Sequence, residues 1–162
     1  MRPDSLNPIV GILVISIQFF VGFLLAGPSM AEHSPAPKGQ FRLVVEGLTS
    51  DDGRVRIGLF QTKESYLRRD DPYDSAHLAI QNRQCEWVID QLPYGEYAVM
   101  LYHDQNGNGK MDKNWIGLPL EPYGFSNNAR PRLGTPSFRR VKFPVNQKVQ
   151  TLRIRVRWFK IC

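Results

Sequence analysis

Apolar and polar residues alternate with a period of two along several short stretches, most regularly at the end of the chain. There Leu152, Ile154, Val156 and Trp158 fall on one face and Arg153, Arg155 and Arg157 on the other. Such alternation predicts a strand with one face in a core and one in water. Phe41 to Leu48, Val55 to Phe60, Cys85 to Leu92, Tyr97 to Tyr102 and Phe138 to Val145 repeat the pattern, and Leu78 to Ile80 repeats it weakly. Thr62 to Arg69 is the single helical candidate, and it is short. About seven short strands separated by turns predict an all-β, antiparallel Greek-key sandwich. Asp52-Gly53 between the first two runs reads as a hairpin turn.

Two connections refine this picture. Leu92-Pro93-Tyr94-Gly95-Glu96-Tyr97 is the kind of strand entry in which a tyrosine hydroxyl ties back to the preceding turn, so Tyr97 is expected to be structural. The strand that follows delivers His103 and Asp104 to one end of the sandwich. Ile116 to Pro136 is too long for a hairpin turn and carries Leu118, Leu120, Tyr123 and Phe125. Those side chains predict that it folds back as an ordered lid.

The chain opens with Arg2, an apolar run from Ile9 to Leu25 and a small-x-small site at Ser29-Met30-Ala31. This predicts a signal segment over 1–31, followed by a flexible leader over 32–39 and one β-sandwich domain over 40–160. The run also approaches the minimum for a membrane span, so a membrane association arises only if the segment is retained as an anchor. Pro28 stands where a lipoprotein would need its cysteine. An exported, periplasmic or extracellular location follows. The net charge of +6 at pH 7 then suggests an anionic envelope polymer, a lipid or a protein partner, and not nucleic acid. Cys85 and Cys162 are the two cysteines, and an oxidising compartment permits a disulfide between them.

The chemistry concentrates in Tyr102 to Trp115, YHDQNGNGKMDKNW. Asp104, Asn106, Asn108 and Asp112 end in short oxygen donors on alternate residues, and Gly107 and Gly109 allow the tight curl that converges them. The order D-x-N-x-N-G-K-x-D follows the first part of an EF-hand loop, with its glycine at the sixth place and a main-chain carbonyl, from Lys110, at the seventh. At the twelfth place stands Trp115 instead of the bidentate Glu, and no apolar helices flank the loop. A stand-alone calcium loop is therefore expected, with Glu121, the only carboxylate of the following connection, as its remaining ligand. A polar turn without metal would use the same residue types.

Taken together, L-P-x-G-x-Y at 92–97, HDxNxNGKxD at 103–112 and GxPxExYGFSNN at 117–128 resemble domain of unknown function family 2141, small exported bacterial proteins. The resemblance runs from about Phe41 to Trp158. It implies a sandwich of the transthyretin or carboxypeptidase-regulatory type and no particular activity.

Three functions compete at this stage. The first is a non-catalytic envelope module in which calcium fastens the Asp104 to Asp112 loop to the lid and presents a binding surface. A basic adhesion module is the second, with Arg153, Arg155, Arg157, Arg139, Arg140 and Lys142 forming a face for anionic polymers. The third is a hydrolase built on His103, Asp104 and Glu121, with Ser126 as a nucleophile; it lacks any G-x-S-x-G or H-E-x-x-H signature.

Overall fold

The computed structural model describes residues 36–131 and 134–159. The expected signal segment, the first half of the leader (32–35) and Cys162 lie outside the described residues, while Lys38 and Gly39 at the leader's end are already strand. Two sheets pack face to face, as an all-β sandwich requires. One holds β4 (Cys85–Pro93), β1 (Lys38–Glu46) and β8 (Val149–Arg155) in that order. The other runs β3 (Asp74–Leu78), β2 (Arg54–Phe60), β5 (Gly95–Asp104), β6 (Tyr123–Phe125), with β7 (Phe143–Val145) also paired to β5.

The alternation in the sequence becomes the core. Phe41, Leu43 and Val45 of β1 meet Val55, Ile57 and Leu59 of β2, with Val99 and Leu101 of β5 and Ile154 of β8 in the same buried cluster. Phe41 stacks on Phe143 at 5.5 Å between ring centroids. Cys85, Trp87 and Ile89 pack half-buried against this core, and burial pushes the Cys85 thiol up to about 11. The Tyr97 hydroxyl donates to the Pro93 carbonyl at 2.9 Å, as the strand-entry motif predicts.

Several features depart from the simple reading. Every strand pairing is antiparallel except that of β8, which runs parallel to β1 from Gln40↔Val149 to Glu46↔Arg155. Asp52-Gly53 closes no hairpin, because β1 and β2 belong to different sheets. Instead, Gly53 turns with φ 69° against the end of β5, where a Cβ would lie 2.0 Å from the Asp104 carbonyl oxygen. The stretch Phe138 to Val145 is not one strand: Phe138–Val141 forms a helical turn, α2, before β7. Phe138 and Val141, three residues apart, thereby face a second small cluster with Phe60, Tyr66, Ala98 and Phe125. Tyr66 lies on α1 (Lys63–Arg68), the helix expected from the sequence, whose Thr62 cap accepts from the Ser65 amide at 3.2 Å.

Within the described part of the connection from Ile116 onward, one stretch is sheet and not lid. Tyr123–Phe125 pairs with Met100–Tyr102 of β5 as β6. Tyr123 also exchanges two main-chain bonds of 2.9 and 3.0 Å with Arg157, beyond β8, joining the two sheets along one side. Gly124 permits this approach, since a Cβ there would come within 2.6 Å of Ile154 Cγ2. Leu118 is half-buried, whereas Ile116 and Leu120 remain about half exposed. Among the described residues, no helix is long and apolar enough to cross a membrane.

Candidate cation site at the end of strand β5

Strand β5 leaves the core at His103 and Asp104, both fully buried. The Asp104 carboxylate is divided between two tasks. Its Oδ2 accepts from Arg56 Nε at 2.6 Å and from the Gly109 amide at 2.9 Å, five residues ahead in the loop. Its Oδ1 is buried and has no partner among the described residues. Although burial acts to raise its pKa, the Arg56 guanidinium and the Gly109 and Asn108 amides outweigh it and hold the carboxyl below its ordinary 3.8.

Beyond Asp104 the loop folds on its own side chains. Asn106 Oδ1 accepts the Asn108 amide at 3.1 Å, and Asn108 Oδ1 accepts the Lys110 amide at 2.8 Å. Each closes a turn two residues on. The side-chain amides of Asn106 and Asn108 then donate to the two oxygens of Asp112, at 2.7 and 2.9 Å. Gly107 and Gly109 occupy the left-handed region at φ 71° and 83°, which the curl demands. The Tyr102 hydroxyl donates to the Gly109 carbonyl at 3.2 Å.

Glu121 enters this loop from the downstream connection and is nearly buried. One carboxylate oxygen accepts the Gln105 amide at 3.0 Å and the other the Asp112 amide at 3.1 Å. The structure thus brings together Asp104, Asn106, Asn108, Asp112 and Glu121. Lys110 takes part through its main chain, while its side chain is exposed.

The carboxylates of this region are partnered unequally. Asp104 pairs with Arg56, whereas Asp112 accepts side-chain amides and Glu121 main-chain amides. All three carboxylates act on the Tyr102 phenol, whose pKa is raised first by burial and then, against the opposing effect of Arg56, by Asp104, Glu121 and Asp112. Among the described residues, no group of three or more His, Cys, Asp or Glu is gathered as a metal cluster. Any cation here would be held partly by asparagine oxygens and a main-chain carbonyl, the hard-oxygen set that calcium accepts.

The sequence does not single out Arg56, and it offers Asp52 and Gly53 only as a hairpin turn. Arg56 reaches Asp104 because β2 pairs with β5 in a register that sets it opposite Tyr102, and its guanidinium also lies 3.2 Å from His77 Nε2. His103 Nε2 lies 2.7 Å from the Asp52 carbonyl oxygen, so the crossover between sheets fixes that ring. His103 Nδ1 is buried without a partner among the described residues.

Of the residues named for a hydrolase, His103, Asp104 and Glu121 lie at this end of β5, while Ser126 is engaged along the strand at Val99. Ser126 is fully buried, accepts the Val99 amide at 2.9 Å and has its hydroxyl 2.6 Å from the Val141 carbonyl oxygen. Its neighbours do similar work. Asn127 donates to the Lys142 carbonyl at 2.9 Å. Asn128 donates to the Arg153 carbonyl at 3.1 Å and accepts the Arg155 amide at 2.9 Å, standing in for a strand beside β8. Both asparagines have positive φ, 57° and 49°, which their side chains tolerate better than most.

A two-sheet β-sandwich carrying a polar loop at one end is the class of protein that this geometry defines. The chain matches, over residues 43–153, the model of a family described as "Uncharacterized protein conserved in bacteria (DUF2141)", and it belongs to that family. No curated protein and no solved structure matched it.

Proposed function

We propose that the protein is an exported, non-catalytic module of the cell envelope whose loop from Asp104 to Asp112 is stabilised by calcium and presents a binding surface. The observation that carries this reading is the buried, unpartnered Oδ1 of Asp104. The other Asp104 oxygen accepts from Arg56 and from the glycine amide at the sixth place, and the same loop carries Asp112 and receives Glu121. A buried carboxylate oxygen without a partner is costly, and a divalent cation would remove that cost. Asp104, Asn106, Asn108, Asp112 and the Lys110 carbonyl would be the ligands, with Glu121 closing the shell.

The role of the metal here is mechanical. A cation bound only by the folded loop stabilises the folded state, by about 2.7 kcal/mol at a hundredfold excess over its dissociation constant. Extracellular calcium reaches the millimolar range that weak sites of this kind require. Thermal melts with calcium and with chelator test it: a melting temperature higher in calcium by several degrees is expected. Equal melting temperatures would remove the metal from the proposal.

A further inference from the structure

We infer that a second, independent site, a groove between β6 and the segment following β8, binds an anionic oligosaccharide. The groove, about 660 Å³, is lined by Tyr123, Arg130, Arg155, Arg157, Trp158 and Phe159 among others, and no Asp or Glu among the described residues lines it. None of the candidate cation ligands contributes to it. A neighbouring concavity shares Arg130 and adds Arg140.

Pairing sorts the basic residues of this side into two groups. Arg153 is bound to Glu46 at 2.7 Å and Lys142 to Glu96 at 2.8 Å, so both are already compensated. Arg130, Arg140, Arg155 and Arg157 have no ion-pair partner among the described residues, and these are the guanidiniums that line the two concavities. Like charges gathered in a recess raise its positive potential and favour an anionic occupant. A guanidinium binds a carboxylate through two parallel hydrogen bonds, which makes arginine suited to acidic sugars.

The aromatic residues narrow the occupant further. Trp158 is 44% exposed, while Tyr123 and Phe159 are half-buried beside it. One open aromatic face beside guanidiniums suits the C–H face of an acidic sugar ring. Single-stranded nucleic acid calls for several stacking platforms in succession. A recessed trough also follows a chain better than it meets a flat lipid surface. The occupant inferred is therefore a linear glycan bearing carboxylates.

Calorimetric titration of the protein with a galacturonate hexamer, in chelator to keep calcium out, tests this separately from the loop. Binding is expected, weakening with added salt, and absent for neutral dextran oligomers. The double change Arg155→Gln/Arg157→Gln is expected to weaken it at least tenfold, as is Trp158→Ala. Arg130→Gln, on an exposed loop residue, should weaken it severalfold with the melting temperature unchanged, while Arg153→Gln should leave it within twofold. Absence of hexamer binding, equal weakening by Arg153→Gln, or tighter binding of oligothymidylate or anionic phospholipid vesicles than of the hexamer would overturn the inference.

Discussion

The loop from Asp104 to Asp112 and the turn from Ser126 to Asn128 are built from similar residues but are resolved differently. In the turn, the Ser126 hydroxyl and the side chains of Asn127 and Asn128 all engage main-chain groups of neighbouring elements, and neutral donors match neutral acceptors. In the loop, side chains mostly bind the loop itself, and one buried carboxylate oxygen has no partner among the described residues. A satisfied polar cluster works as a fastening. A cluster with an orphaned carboxylate oxygen leaves an acceptor that a ligand would satisfy. The contrast separates two polar motifs that composition alone would treat alike.

The largest effect expected from breaking this contrast is at Asp104. Asp104→Asn leaves Arg56 facing a neutral amide inside a nearly buried pair, for a loss of about 3 kcal/mol, measured by denaturant unfolding. The same variant should lose the melting response to calcium. Because the folded protein holds the Asp104 carboxyl below 3.8, its ionised form contributes stability above that pH. That contribution is lost as the pH falls from about 4 through the lowered folded-state value, so wild type should show an acid-side decline in unfolding free energy that Asp104→Asn lacks.

A smaller loss, about 2 kcal/mol, is expected for Ser126→Ala, which leaves the buried Val99 amide and Val141 carbonyl without their shared partner. Here the calcium response should persist unchanged. A loss of that response in Ser126→Ala would show that the two clusters are one coupled unit, and the contrast between them would fall.

Much of the sandwich was legible in the sequence because each half-buried strand announces itself by alternation, from Phe41-Leu43-Val45 to Leu152-Ile154-Val156. Tyr97 and the spacing of Asp104, Asn106, Asn108 and Asp112 were legible for a related reason: both are local patterns. Features set by pairing between distant segments were not. The parallel partner of β8 and the Arg56 to Asp104 contact depend on register between strands, which no single stretch encodes. Phe138 and Val141 were read as strand because a four-residue helical turn carries too few positions to distinguish the two periods. Asp52-Gly53 has the residues of a hairpin turn, yet Gly53 serves a close approach to β5 instead. The work of Ser126, Asn127 and Asn128 as a fastening became visible only once β5, α2 and β8 were placed around them.

A crystal of the protein grown in millimolar calcium examines the loop most directly. The expected result is an ion bound to Asp104 Oδ1 at about 2.3–2.6 Å, surrounded by oxygens of Asn106, Asn108, Lys110 and Asp112, with Glu121 at its edge. A water molecule in that position, with the Asn106 and Asn108 amides still donating to Asp112, would contradict it.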